Sequence, residues 1–365
     1  MIPSNGPVRT GAGALRRLTA AMPKAELHLH LDGSLRVETA LALARSRGID
    51  APRTYDAMFE ALVGPPRMAS QADLLTRFDL PIALLQDAEA LEQATLELVE
   101  AKAADNVRYV EIRWGPALHV RRGLSLGDGI AAVCRGAAAG ERRTGTTVRL
   151  ICTALRSHDP EASIELAETA AAFRDQGLTG WDLAGPEAAN PDPLAFASAF
   201  AAARAGGLRI TLHAGEWGGA GQVRRALALD PERIAHGPGA VDDPELMAEL
   251  VARGVTLDLC PTSNVQAGIV ASVADHPLAR LHRAGVPVSL STDDSTVSDI
   301  LLSEEYAGAV EAIGLSLAEL WAIDRHGLAA AFAEPAVLRP LADEFDRWAA
   351  GIPELGSPTR TPAPG

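Results

Sequence analysis

The stretch Glu26-Leu-His-Leu-His-Leu-Asp-Gly33 reads as a β-strand carrying two histidines two residues apart. Side chains alternate along an extended strand. This predicts His28, His30 and Asp32 on one face and Leu27, Leu29 and Leu31 on the other. Two imidazoles on one strand face can close on a single metal ion with almost no loop entropy to overcome. A half-buried strand with satisfied histidines has the same pattern, and two-residue patterns recur by chance. The rest of the chain decides between the two.

Outward from this stretch, short apolar or β-branched runs alternate with longer Ala/Leu/Glu-rich stretches. After Glu26–Leu31, the predicted strands are Arg108–Trp114, Val148–Leu155, Gly180–Ala184, Arg209–His213, Arg233–His236, Val255–Leu259 and Pro287–Thr292. Helices are predicted between most of them, at Ala88–Ala104, Ile164–Arg174, Leu194–Ala205 and Pro244–Ala252. Such alternation argues for a parallel sheet with right-handed crossovers. Eight strands suit a closed (β/α)8 TIM barrel with a helical insertion after strand 1 and C-terminal helices. A doubly wound sheet is the alternative, but no Gly-x-Gly-x-x-Gly turn follows the first strand. The gap from Asp32 to Val107 far exceeds one βα unit and contains Met58, Phe59, Leu62, Leu75 and Phe78. It is expected either to form a lid over the barrel mouth or to pack on the outer helices.

A chain of 365 residues, 47 % hydrophobic and 22 % charged, can bury a large core. The formal net charge of −14 argues against nucleic-acid or anionic-membrane partners. The basic pairs Arg121-Arg122 and Arg142-Arg143 are short enough to sit on solvated helix ends. Cys134, Cys152 and Cys260 form no Cys-x-x-Cys pair, which fits a reducing cytoplasm. No run approaches the roughly 20 apolar residues of a membrane span, and Met1–Ala21 lacks the apolar core of a secretory signal. The expected organisation is one domain over 20–350, an N-terminal extension over 1–19 and a flexible Pro/Gly-rich tail over 351–365.

The reactive residues fall at the C-terminal ends of predicted strands, where barrel active sites lie. Strand 1 offers His28, His30 and Asp32, strand 5 His213-Ala-Gly-Glu216, strand 6 His236-Gly237, and strand 8 Thr292-Asp293-Asp294. Singly, each has an ordinary explanation, such as Asp293-Asp294 capping a helix. Together they converge on one mouth. Imidazole and carboxylate donors suit zinc, whose open position can lower the pKa of a water to about 7. The His-x-Glu and Pro-Cys-x-x-Cys pattern of cytidine-type deaminases is absent, as is His-Glu-x-x-His. Only two lysines occur, Lys24 before strand 1 and Lys102 in a helix. Neither is expected to bridge two metals inside the barrel, which favours one zinc per chain.

Six motifs in order carry a resemblance. They are Met22-Pro-Lys-Ala-Glu-Leu-His-Leu-His-Leu-Asp-Gly-Ser-Leu35, Asp182-Leu-Ala-Gly185, His213-Ala-Gly-Glu216, Arg233-Ile-Ala-His-Gly237, Leu259-Cys-Pro-Thr-Ser-Asn264 and Ser291-Thr-Asp-Asp294. Over residues 22 to about 335, the chain resembles the adenosine deaminase family of the amidohydrolase superfamily, whose fold is a (β/α)8 barrel. The resemblance implies that His28, His30, His213 and Asp293 ligate zinc, and that Asp294 and His236 hydrogen-bond the attacking hydroxide. It implies that Glu216 donates a proton to purine N1, that Gly185 N–H meets N3, and that Asp32 reaches a ribose hydroxyl. His30 and Asp294 would also touch the substrate. Cys260 lies beside this mouth with no role, and His158 is expected near the pocket. His119, His276, His282 and His326 match no motif and are expected to be structural or exposed.

Two positions depart from the family pattern. Pro186 stands where the family usually has Asp, and Ser295 stands where it often has Pro. Both bear on the substrate more than on the reaction. The implied activity is zinc-dependent hydrolytic deamination of an adenosine-type nucleoside, in the cytoplasm. A 5′-modified adenosine such as aminodeoxyfutalosine is the alternative substrate. A silent nucleoside-binding barrel and a two-metal hydrolase are the competing classes.

Overall fold

The computed structural model describes residues 12–355. Residues 1–11 of the expected extension and 356–365 of the expected tail lie outside them. The eight strands are β1 (Lys24–His30), β2 (Val107–Trp114), β3 (Thr147–Leu155), β4 (Leu178–Ala184), β5 (Arg209–His213), β6 (Arg233–Ala235), β7 (Thr256–Leu259) and β8 (Val288–Leu290). They pair in parallel in sequence order. A bridge between Leu29 and Asp293 joins the last strand to the first. Helices separate the strands, as right-handed crossovers require, and further helices follow β8 at Leu302–Glu311, Leu317–Ala330 and Pro335–Ala349. The fold is a (β/α)8 barrel.

The main apolar core lies between strands and helices, where Leu29, Val110, Ile112, Leu150, Leu183, Leu212, Ile234, Leu257 and Leu290 are buried together. The barrel interior is different, because charged side chains fill it. Arg113, Glu111, Asp182, Arg233 and Asp258 are all essentially inaccessible.

The alternation predicted for strand 1 breaks at a bulge. Register shifts between Glu26 and Leu29, and the consecutive N–H groups of Leu27 and His28 both donate to Ser291 Oγ, at 3.3 and 3.2 Å. An extra residue reverses the facing of everything before it. Ala25 and Leu27 therefore pack with Tyr109, Leu328 and Phe345, while Glu26 turns to the helix layer. There its Oε2 meets Lys102 Nζ at 2.9 Å. Lys102 accordingly reaches the barrel wall from its helix and is held in an ion pair away from the mouth. The strand also ends at His30, and Asp32 lies in a short 3₁₀ turn, Asp32–Ser34. Asp32 is thus placed by a turn and not by the strand's pleat.

The insertion after β1 divides between the two roles expected of it. Met58 and Leu62 join the main core, whereas Leu75 and Phe78 wall the cavity at the mouth.

Candidate active site and metal centre

Three imidazoles meet at the mouth through their Nε2 atoms. The separations are 3.3 Å for His28–His30, 3.1 Å for His28–His213 and 3.1 Å for His30–His213. Asp293 Oδ1 stands 3.0 Å from His28 Nε2 and 3.3 Å from His30 Nε2. Donors at zinc distances of about 2.0–2.1 Å in a tetrahedron would be about 3.3 Å apart. The residues present fit a single divalent metal. Among the described residues His28, His30, His213 and Asp293 form one possible ligand group, and His236, Cys260 and Asp293 form another that shares the same aspartate.

Protonation agrees with the first set. Burial depresses the imidazoles of His28 and His30, that of His30 to about 3, so both present lone pairs. Burial alone would raise Asp293, but its contacts with His28 and His236 hold it well below the usual carboxylate range. Burial pushes the Cys260 thiol well above its usual range, which favours the neutral thiol there.

Further residues orient the ligands. Asp182 Oδ1 lies 3.1 Å from His213 Nδ1, which keeps Nε2 as the lone-pair atom. Ser263 Oγ donates to Asp293 Oδ2 at 2.7 Å. Asp293 and His236 both have left-handed backbones, with φ of 66° and 67°. For residues with a Cβ this is an uncommon conformation, held here by the surrounding structure. Gly33 makes room for the neighbour of Asp293: a Cβ on it would lie 1.7 Å from Asp294 Oδ1.

Beside the ligands, a cavity of about 60 Å³ is lined by His30, Gly185, Glu216, Trp217, His236, Asp293 and Asp294, with Leu74, Leu75 and Phe78 opposite. It adjoins a space of about 280 Å³ that reaches Asp32, Asp79, Ile82, Leu118, Arg121, Ser157 and Pro186. Arg121 is therefore at the rim of a cavity and not on a helix end. Ser157 lines that space, and His158 does not. Glu216 is mostly buried, and its carboxyl is raised to about 8, by burial first and then by Asp293. Asp294 is raised well above its usual range by burial and by Asp293, Asp32 and Glu216. Burial raises Asp32 to about 6. Asp32 Oδ1 and Asp294 Oδ1 have no hydrogen-bond partner.

The candidate site residues His28, His30, Asp32, Gly185, His213, Glu216, His236, Asp293 and Asp294 thus converge on one mouth, and several participants gave no comparable signal. Glu187 accepts from the N–H groups of Gly215, Trp217 and Gly218 at 2.8, 2.8 and 2.9 Å, which ties down the loop that carries Glu216. Asn264 and His276 form a buried chain behind His236. Asp182, Ser263 and Asn264 sit inside quoted motifs and Glu187 follows one just after Pro186, but His276 has no local pattern to mark it.

A parallel eight-stranded barrel with three histidines and an aspartate at its mouth defines a metal-dependent hydrolase of the amidohydrolase type. The model of the family described as Adenosine deaminase matches residues 23–348, and the chain belongs to that family. It is 37 % identical to the adenosine deaminase of Enterococcus faecalis over 327 residues, 89 % of this chain and 96 % of that protein. It is 41 % identical to the adenosine deaminase of Clostridium perfringens over 288 residues, 78 % of this chain and 86 % of that one. Among solved structures, adenine deaminase from Arthrobacter aurescens superposes with a TM-score of 0.83 at 30 % identity, covering 90 % of this chain and 99 % of that one. A Burkholderia ambifaria amidohydrolase with bound Zn gives 0.84 at 28 %, covering 95 % and 96 %. Arabidopsis N6-mAMP deaminase gives 0.80 at 32 %, covering 91 % and 99 %. Membership makes the chain a hydrolase that deaminates adenosine-type substrates.

Proposed function

We propose that the chain converts a 6-aminopurine nucleoside to its 6-oxo product and ammonia, with one zinc held by His28, His30, His213 and Asp293. The observation that carries this reading is Glu216, its carboxyl raised to about 8 by burial, lining the same small cavity as three of the four converging metal donors. The N3O donor set supports zinc. When bound, the metal would supply Lewis acidity and lower the pKa of a water toward about 7.

The chain's own residues then divide the work. Asp294 and His236 flank the attacking oxygen, one taking its proton and the other orienting it. As that oxygen bonds to C6, Glu216 donates its proton to N1, which relieves the charge that attack builds on the ring. Cleavage of the C6–N6 bond expels ammonia carrying one water proton, and the second water proton returns to Glu216. Gly185 N–H meets N3, and the unpaired Oδ1 of Asp32 accepts from a ribose hydroxyl. Leu74, Leu75 and Phe78 exclude bulk water.

The substrate is read as a nucleoside because an unpaired carboxylate at the sugar end favours a hydroxyl over a phosphate. The test is loss of adenine-type absorbance with adenosine, 5′-deoxyadenosine, aminodeoxyfutalosine, adenine and AMP, on protein whose metal is quantified. Turnover fastest with a nucleoside is expected. Preference for adenine or AMP would overturn the substrate assignment, and two metals of comparable affinity would overturn the one-zinc reading. A cytoplasmic location is proposed as well, in keeping with three buried, unpaired cysteines.

A further inference from the structure

We propose that Asn264 and His276 are positioning residues that fix the tautomer of His236, so that His236 faces the reacting oxygen as a hydrogen-bond donor through Nε2. This rests on the site reading above and decides which of its two flanking groups can accept the proton of water.

The argument starts at a backbone amide, whose role as donor is not open to choice. Leu278 N–H donates to His276 Nδ1 at 3.2 Å. That nitrogen therefore carries a lone pair, and the single proton of a neutral ring sits on Nε2. Burial depresses His276 to about 3, so the ring is neutral at working pH. Its Nε2–H meets Asn264 Oδ1 at 3.1 Å. The opposite amide orientation would set two donors against each other, so this contact fixes which end of Asn264 is oxygen. The amide Nδ2 then donates to His236 Nδ1 at 3.1 Å. His236 Nδ1 is consequently an acceptor, and the ring proton lies on Nε2.

His236 Nε2 faces the site, 3.6 Å from Asp293 Oδ2 and 3.9 Å from Glu216 Oε1. Both distances are too long for direct hydrogen bonds, so Nε2–H is left free to donate to an oxygen beside them. Nothing competes for the chain, because His236, Asn264 and His276 are 1 %, 0 % and 3 % exposed. A ring that already holds its proton on Nε2 cannot take a second one there. It can only donate to the oxygen, which leaves Asp294, in its ionised form, as the flanking group able to receive the water proton.

Asn264→Asp keeps the side-chain shape but offers only acceptors toward both rings. His236 must then carry its proton on Nδ1 and turn a bare lone pair toward the carboxylates. The experiment is long-range proton–nitrogen correlation on zinc-loaded protein labelled with 15N-histidine. The His236 signals are assigned by their loss in His236→Gln. Wild type is expected to show a protonated Nε2 and a bare Nδ1 at His236, and Asn264→Asp to show the reverse. With metal content retained and KM little changed, kcat of Asn264→Asp is expected to fall by about 100-fold or more, since a wrong histidine tautomer removes a contribution of that order. A protonated Nδ1 at His236 in wild type would overturn the proposal whether or not any variant folds. A swapped tautomer with undiminished kcat would overturn it too. Failure of wild type to deaminate any adenosine-type nucleoside would instead overturn the functional reading, since the tautomer is measured without substrate.

Discussion

The floor and the mouth of the barrel are both built from buried charges, and they treat them in opposite ways. At the floor, Glu111 accepts from Tyr109 Oη at 2.9 Å and from Phe332 N–H, and both its oxygens face the Arg233 guanidinium. Arg233 Nε also reaches Asp258 Oδ2 at 3.1 Å, and its guanidinium lies 3.7 Å above the Phe332 ring. Ser289 Oγ closes the network on Asp258 Oδ1 at 2.7 Å. Opposite charges meet, and each carboxylate oxygen has a donor. At the mouth, three lone-pair nitrogens face one another beside an ionised Asp293, and Asp32 and Asp294 each keep an unpaired oxygen. Protein interiors do not leave such groups unmatched without cost. The floor holds the barrel together, whereas the mouth keeps unmet valences for a metal, a water and a substrate.

Removing a metal donor tests the mouth most severely. His213→Ala is expected to abolish activity and to cut metal content well below one ion per chain, read by elemental analysis of the purified protein. A variant that kept its metal and turned over normally would take His213 out of the ligand set. Glu216→Gln comes next, because it keeps the size of the side chain but cannot give a proton to N1. Turnover should fall about 100- to 10,000-fold, with metal and purine-analogue binding intact. Its unfolding midpoint should stay level or rise, since a carboxyl raised by burial is a strain the amide does not share. Glu111→Gln inverts that outcome at the floor. It leaves Arg233 incompletely paired and should cost about 3 kcal/mol of unfolding free energy in urea, while kcat per folded molecule is preserved. Equal stability losses for the two substitutions would erase the contrast.

Most of this division was legible in the sequence, because barrel chemistry is written at strand ends. Each strand was placed to within a few residues, and β5 at its observed bounds, since apolar runs stop where His213, His236 and Asp293 begin. The bulge in β1 was not legible. Leu-His-Leu-His alternates without a break, and only the pairing of two successive N–H groups with Ser291 reveals the reversed facing of Glu26. The apolar residues of the insertion look alike in sequence, although Leu75 and Phe78 wall the cavity while Met58 and Leu62 pack into the core. Glu187 and His276 act on residues far along the chain, Glu187 through loop amides and His276 through one amide side chain. No spacing rule reports such contacts.

The smallest expected effect sharpens the comparison at the outer edge of the mouth. Asp32 left the strand in the structure, yet its turn still sets it beside His30 and Gly185, lining the larger cavity. Burial raises its carboxyl to about 6, and Oδ1 finds no donor within the protein. A sugar hydroxyl would satisfy that oxygen, whereas free adenine would leave it unmatched. A hydrogen bond to an ionised acceptor is worth roughly 1.5–3 kcal/mol, so the nucleoside should lead the free base by about ten- to a hundredfold in kcat/KM on this contact alone. Asp32→Ala should narrow that lead through the nucleoside, leaving the rate with adenine and the metal content unchanged. AMP should gain relative to adenosine in the same variant, because the carboxylate that opposes a phosphate is gone while Arg121 remains at the rim. An adenosine-to-adenine ratio indifferent to Asp32→Ala would remove Asp32 from the sugar end and return it to the paired, structural half of the molecule.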